Sequence, residues 1–358
     1  MGRSQRLLEA EIERVKSALN RCGYPNQKAL AMDSGLSPST VKNFLNGKPV
    51  DYLNFVELCS RLSLDWKDVA NPLDDDSAEL ENQPTFIAGP PIRHPRNFFG
   101  RERELRRLFG LLKTQPMQNA AIVGKPRSGK TSLLNYLRTI TTTPKRELRE
   151  GQRSDWLLSP KTYTWIYADF QDPRLHSRLG LMAHLLEGMG IDVPAGCSLE
   201  MFMEVVSDRV KQPTVVLMDE IAVGLQRCPE LDDEFWESLR SLCNSATDGN
   251  LAFVLSTPEQ PVGLAQASGH SSPFFNTFGY TAFIGSLTES EAREFVGSST
   301  TAFAKEDVGW MLEASGRWPY LLQILCRQQQ FSLEEGQVGD AWREEAMKQL
   351  TPFLYLRD

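Results

Sequence analysis

The stretch Asn119-Ala120-Ala121-Ile122-Val123-Gly124-Lys125-Pro126-Arg127-Ser128-Gly129-Lys130-Thr131 decides the fold. A short apolar run, NAAIV, leads into the pattern G-x-x-x-x-G-K-[ST], and SLLNYLRTI continues it with helical spacing. Strand, glycine loop and helix in that order make a phosphate cradle, because the glycines let backbone N–H groups turn together toward an anion at a helix N-terminus. Gly124, Lys125, Pro126, Arg127, Ser128 and Gly129 form the loop, and Lys130, Thr131 and Ser132 open the helix. In such a loop Lys130 reaches the β- and γ-phosphates, and the Thr131 hydroxyl ligates Mg²⁺.

Working outward, Thr214-Val215-Val216-Leu217-Met218-Asp219-Glu220 is a continuous apolar run ending in two acids, as a strand buried on both faces should be. Asp219 is expected to hold the Mg²⁺ shell and Glu220 to orient or deprotonate the attacking water. Together with Lys130 they form the expected catalytic set. A further apolar run, 251–255, ends in Ser256 and Thr257. Those hydroxyls either touch the γ-phosphate or the attacking water as sensors, or simply end a strand. YTWIYADF (163–170) and TAFIGS (281–286) complete five strands interleaved with helices, which predicts an α/β fold with a doubly wound parallel sheet.

These elements resemble the P-loop NTPases of the AAA+ and STAND groups, including the origin-recognition-type ATPases, across about residues 97–330. FFGRERELRRL (98–108) resembles the hhGRExEL segment that helps enclose the adenine, and GKPRSGKT and VVLMDE follow. Gly316-Arg317-Trp318-Pro319-Tyr320-Leu321-Leu322 resembles the G-x-P segment of the STAND helical lid. The resemblance implies ATP and Mg²⁺ as cofactors, Pro319 against the adenine and Arg101 at the nucleotide's edge. It makes Arg317 either a phosphate sensor or a solvated arginine at a helix start. Nothing resembles the Asn-Lys-x-Asp guanine reader, which favours ATP over GTP. The chain departs from ring ATPases in having no Lys or Arg between residues 241 and 292, so an arginine finger from that region is excluded. It departs from most STAND proteins in ending soon after the lid.

Upstream, residues 4–21 space Leu7, Leu8, Ile12, Val15 and Leu19 along one helical stripe. A second helix is expected over 26–34, with Gly35 at its end, and a third opens on Ser37 as N-cap with Pro38 next. This helix, glycine turn and capped helix resemble the lambda-repressor-like (XRE) helix-turn-helix family over about residues 4–70. The resemblance puts Ser37, Ser39, Thr40, Lys42 and Asn43 on a DNA-reading face. Gln27 could reach a phosphate, and Val41, Phe44 and Leu45 would point inward. A helical bundle serving protein contacts is the alternative. The expected organisation is an all-α helix-turn-helix domain at 1–72, a linker at 73–97, a P-loop core at 98–287, and a helical lid with a C-terminal helix at 288–358.

The 358 residues carry a net charge of −7, which alone would argue against nucleic acid, but the charge is polarised. Residues 1–72 are net +2 and the run LDDDSAELENQ at 73–83 is net −5; residues 84–163 are net +11 and 164–358 net −15. Lys145, Arg146, Arg149, Arg153 and Lys161 crowd one long connection (145–161), which reads as a DNA-facing loop, a contact with a neighbour's acidic surface, or a solvated insertion. Polarity of this kind suits self-association on ATP binding, head to tail. Six widely spaced cysteines without a C-x-x-C pair suit reduced thiols in a cytoplasm. No apolar run is long enough to span a bilayer, and the N-terminus lacks a secretory pattern.

Three functions fit this reading. One is a slowly hydrolysing DNA-associated switch ATPase regulating transcription, defence or signalling, with an unidentified protein effector. Another is an AAA+ regulator of DNA transposition and target selection that forms ATP-dependent oligomers on DNA. The third is a scaffold using nucleotide structurally, against which the intact Glu220 argues.

Overall fold

A computed structural model describes residues 4–8, 11–62, 64, 66–69, 86–337 and 339–357. The chain divides into two compact units, Met1–Gln83 and Pro84–Asp358. The acidic run at 73–83 and the expected linker as far as residue 85 lie outside the described residues. The rest of that expected linker is not free chain. Phe86 and Pro95 are buried, because the apolar residues of this segment find cover on the second unit.

Among the described residues of the first unit, helices Ile12–Arg21, Gln27–Ser34, Pro38–Leu45, Tyr52–Arg61 and Trp66–Val69 surround Val15, Leu30, Val41, Phe44, Phe55 and Leu58. The expected helix over 4–21 is shorter than its apolar stripe. Strand β1 (Ser4–Gln5) pairs antiparallel with β2 (Val50–Asp51), and Leu8 N–H donates to Val69 O at 2.9 Å. Those long-range bonds satisfy the backbone that a helix would otherwise use. The caps fall where their residue types call for them. Asn26 Oδ1 accepts from Lys28 N and Ala29 N, Gly35 is left-handed at φ 69°, and Ser37 Oγ accepts from Thr40 N at 3.1 Å.

The second unit is built on a five-stranded sheet of β3 (Ala120–Val123), β4 (Thr164–Asp169), β5 (Thr214–Asp219), β6 (Leu251–Thr257) and β7 (Tyr280–Phe283), all parallel in the order β4-β5-β6-β3-β7. Every residue of β3, β5 and β6 is buried, which is why these segments read as unbroken apolar runs. One apolar layer packs Leu181, Phe202, Trp236 and Phe274 on one face of the sheet, and another packs Leu108, Phe109, Leu133 and Leu137 on the other. Asn119 clips the centre: its Oδ1 accepts from Phe253 N at 2.8 Å and its Nδ2 donates to Thr277 Oγ1 at 2.8 Å. Helices Glu289–Val296, Lys305–Ser315, Pro319–Glu334 and Ala341–Leu350 follow the sheet and share a third apolar cluster with Phe86 and Phe99. Among the described residues no helix is long and apolar enough to cross a membrane.

The basic connection after the phosphate-loop helix is neither a free insertion nor wholly a DNA-facing loop. Leu148, Trp156 and Leu157 are buried, and Trp156 stacks on Phe109 with centroids 5.3 Å apart. Arg149 is spent internally: its guanidinium donates to the carbonyls of Arg96 and Phe98, pairs with Glu294 at 3.2 Å, and covers the Phe99 ring. Lys145, Arg146, Arg153 and Lys161 stay exposed. Trp156→Ala is therefore expected to cost about 3–5 kcal/mol in urea unfolding, and Arg146→Ala less than about 0.5 kcal/mol. Equal small losses would return the loop to the solvent.

Candidate nucleotide site

At the carboxyl ends of β3, β5 and β6 the chain opens a cleft of about 540 Å³. Its walls carry Gly129, Lys130, Thr131 and Ser132 from the phosphate loop and helix Lys130–Thr139, Asp219 and Glu220 from the end of β5, and Pro319 from the lid. Beside it lies a narrow slot lined by Phe98, Phe99, Leu133, Ile284, Leu287 and Phe295. Ile92, Gly129, Ser132, Pro319 and Gln323 border both spaces. A polar cleft continuous with an apolar slot matches a ligand with an anionic end and a flat, weakly polar end.

The loop is shaped for close approach. A Cβ on Gly124 would stand 2.5 Å from Ile284 O and 2.6 Å from Ser128 Oγ. Gly129 is left-handed at φ 96°, and a Cβ there would enter open space in the cleft. Lys130 Nζ donates to Gly124 O at 2.9 Å and Lys125 O at 3.3 Å, the loop's own carbonyls. Burial lowers the Lys130 pKa, against the charges of Glu220 and Asp219. Ser128 Oγ is buried without a hydrogen-bond partner. An orphaned hydroxyl and a lysine held only by loop carbonyls are groups that phosphate oxygens would satisfy, so the residues present fit a nucleotide. Among the described residues no group of three or more His, Cys, Asp or Glu gathers to hold a metal. Thr131 and Asp219 both line the cleft and would offer two oxygen ligands, a set that suits Mg²⁺ completed by water and phosphate oxygens.

The Asp219 carboxylate is held on both oxygens. Tyr167 OH donates to Oδ2 at 2.7 Å, while Ser256 Oγ and the Glu220 N–H donate to Oδ1, the amide at 3.1 Å. Glu220 caps the helix Ile221–Arg227 with φ 54° and is half-buried. Burial raises its pKa, Lys130 opposes the rise, and Asp219 and Asp169 add to it. Asp169 lines the cleft at the end of β4, in register with Asp219. The sequence carried a signal for it, since YTWIYAD ends in an acid as TVVLMD does.

Several expected residues stand elsewhere. Ser256 Oγ is committed to the Asp219 carboxylate rather than standing free for a γ-phosphate. Thr257 Oγ1 donates to Glu259 O at 2.9 Å and turns away. The Lys125 side chain is exposed outside the lining. Arg317 lines neither space; its left-handed backbone closes the lid instead, its carbonyl accepting from Leu287 N at 2.9 Å. Arg101 lines the slot, but its guanidinium is buried and spent on Gly285 O and Ser286 O, and its N–H donates to Glu291. Arg127 donates to Gly89 O at 2.8 Å and lies 4.7 Å over the Tyr320 ring, joining loop, preceding segment and lid. Pro319 borders cleft and slot as expected.

In the first unit Gln27 and Lys42 are exposed and Asn43 is half-buried, while Val41, Phe44 and Leu45 are buried. Ser37, Ser39 and Thr40 spend their hydroxyls on one another, at 2.8 Å from Ser37 to each partner.

No family model matches the sequence, and no curated protein matches it. Among solved structures, a Walker-type ATPase of Pyrococcus abyssi is similar at TM-score 0.52 and 16% identity, covering 74% of this chain and 76% of its own. The Aeropyrum pernix ORC1 protein, solved in complex with DNA, is similar at TM-score 0.48 and 15% identity over 76% and 68%. The RuvB branch-migration motor of Thermotoga maritima gives 0.45 and 15% over 72% of each chain. The first likeness shows the fold, a parallel α/β sheet flanked by helices.

Five described non-glycine residues have positive φ, and four of them, Arg101, Arg127, Glu220 and Arg317, are expected site residues. Such backbone costs stability and gathers at functional positions. Glu220→Gly is therefore expected to raise stability by about 0.5–1 kcal/mol, since glycine accepts φ > 0. A loss of stability in urea unfolding would show that Glu220 carries no backbone strain.

Proposed function

We propose that the chain binds ATP with Mg²⁺ and hydrolyses it slowly, as a DNA-associated switch ATPase that assembles on ATP binding to regulate transcription, defence or signalling. The observation that carries this reading is the convergence of Lys130, Thr131, Asp219 and Glu220 on one cleft whose apolar annex is bordered by Pro319. That a structure of the same fold is a Walker-type ATPase supports it.

In this mechanism the loop N–H groups and Lys130 bind the β- and γ-phosphates, and Thr131 and Asp219 would hold Mg²⁺, which would screen the charge developing on the phosphoryl group. Tyr167 and Ser256 fix the orientation of the Asp219 carboxylate. Glu220 orients the attacking water and takes its proton. The apolar slot excludes water from the base, and the Pro319 end of the lid closes over it. The helix Gln27–Ser34, Gly35 turn and helix Pro38–Leu45 serve as a helix-turn-helix, with Gln27, Lys42 and Asn43 the side chains left to reach DNA.

Lys130→Ala is expected to weaken ATP binding by about 10–100-fold in calorimetry, the loss of charge-assisted hydrogen bonds. Glu220→Gln should keep binding and lose about 10²–10⁴-fold in turnover. The raised Glu220 pKa sets the acid limb of turnover above the usual glutamate value of 4.5, because below that limb the carboxyl holds a proton and cannot accept one. Unchanged affinity in the first variant would unseat the site, and unchanged turnover in the second would remove Glu220 from catalysis.

The DNA reading is tested by gel shift and electron microscopy with and without a non-hydrolysable ATP analogue. Preference for discrete genomic sites over random DNA is expected of the switch. ATP-dependent filaments on random DNA would instead support the transposition regulator, and no binding to either would leave the first unit a protein-contact bundle.

A further inference from the structure

Gln323 stands one helical turn after Pro319 on the lid helix Pro319–Glu334, so both residues share a face and both border the cleft and the slot. The residue is only 9% exposed. Its Oε1 accepts from the Ile87 N–H at 2.7 Å. Ile87 belongs to a strap, residues 86–92, that is held firmly at both ends. Phe86 packs edge-on against Phe295 with centroids 5.2 Å apart. Ile92 N–H donates to Ser132 Oγ at 3.0 Å, and Ile92 O accepts from Asn135 Nδ2 at 3.1 Å. The Gln323 amide therefore cannot flip, because a flip would set its NH₂ against the Ile87 N–H, donor against donor. Its Nε2 has no partner among the described residues.

An amide donor of fixed direction, without a protein partner and on a side chain that borders cleft and slot, is placed to serve a ligand there. Of the other charged or hydroxyl groups of the slot, the Ser128 hydroxyl belongs to the phosphate loop and has no partner, and the remaining two are engaged. Arg101 donates to Gly285 O and Ser286 O, and Ser132 Oγ accepts from the strap. Apart from Asn97 and Gly129, the rest of the wall is aromatic and aliphatic and suits a flat ring. We infer that Gln323 is the base-reading residue of this site, donating a hydrogen bond from Nε2 to a ring nitrogen of a bound purine nucleotide, with the strap fixing which face of the amide is offered. The inference rests on the nucleotide reading above and adds a specificity determinant to it. Unprotonated ring nitrogens are the acceptors that adenine offers at N1, N3 and N7.

The test titrates ATP, its 1-deaza, 3-deaza and 7-deaza analogues, 2′-deoxy-ATP and tripolyphosphate onto the full chain, its Gln323→Met variant and its Gln323→Glu variant. Gln323→Glu keeps an acceptor for Ile87 but has no N–H donor, so it reports even if the methionine variant fails to fold. Its added charge repels every ligand alike, so the ratio between ATP and each analogue is the readout. In the wild-type chain one deaza analogue is expected to bind about five- to tenfold more weakly than ATP, the size of one neutral hydrogen bond. In the variants that ratio should fall to near one. Three deaza analogues that bind like ATP, or a ratio that survives in the variants, would overturn the inference. So would a variant-sensitive ratio confined to 2′-deoxy-ATP, which would assign Gln323 to the ribose. Binding of tripolyphosphate without any preference for purine nucleotides would overturn it and leave the phosphate site standing. Binding of none of these ligands would overturn both.

Discussion

Everything at the candidate site depends on the parallel register of β5, β6 and β3. Val123 pairs with Thr257 and Met218 with Leu255, so Gly124, Ser256 and Asp219 leave the sheet at the same end although some 130 residues separate the first from the second. Slipping one strand by a single residue would turn its side chains to the opposite face. With β3, β5 and β6 buried on both sides, such a slip would strand large apolar side chains in badly matched layers. The carboxyl ends of such strands are where open α/β sheets hold ligands. The register thus converts a demand of core packing into the placement of one lysine and two carboxylates.

Rigidity at that end is unevenly distributed. Asp219 is fixed by three donors from three places in the chain: Tyr167 on β4, Ser256 on β6 and the amide of its own neighbour. Glu220, one residue later, sits in left-handed backbone with a pKa raised by burial. One carboxylate is therefore fixed by hydrogen bonds on both oxygens, and the adjacent one is half-buried on left-handed backbone with its pKa raised by burial. Two neighbouring acids in such different surroundings can take different chemical parts.

The local signals in the sequence were strong wherever a backbone need selects a residue type. The glycine loop, the acid-tipped strand, Asn26, Gly35 and Ser37 were legible because cap and turn geometry admit few alternatives. The first helix was over-extended because the stripe of Leu7, Leu8 and Ile12 looks the same whether Leu7 lies on a helix or in chain leading from a paired strand. The packing of the basic connection is hard to read for a related reason. Five positive charges dominate its composition, yet Trp156 and Leu157 decide its position by burial. Tyr167 and Gln323 were invisible to pattern reading, since each acts through one atom meeting a partner over fifty residues away. Arg101 and Arg317 were identified by motif and found near the site, but their contribution lies in holding lid to core rather than in touching the cleft's polar wall.

That distribution of arginines bears on the rate. The cations lining the polar cleft are Lys130 and Arg127, and Arg127 is drawn back onto Gly89 O and the Tyr320 ring. Residues 241–292, the stretch that carries β6 and β7, hold no Lys or Arg at all. A transition state with charge spread over three phosphoryl oxygens would then meet one free lysine, the loop amides and a metal ion. An additional arginine is worth about 10³–10⁵ in rate in comparable phosphoryl transfers. Residues 241–292 supply no such arginine. Arg127 joins the phosphate loop to the segment before it and to the lid, through Gly89 O at 2.8 Å and the Tyr320 ring at 4.7 Å.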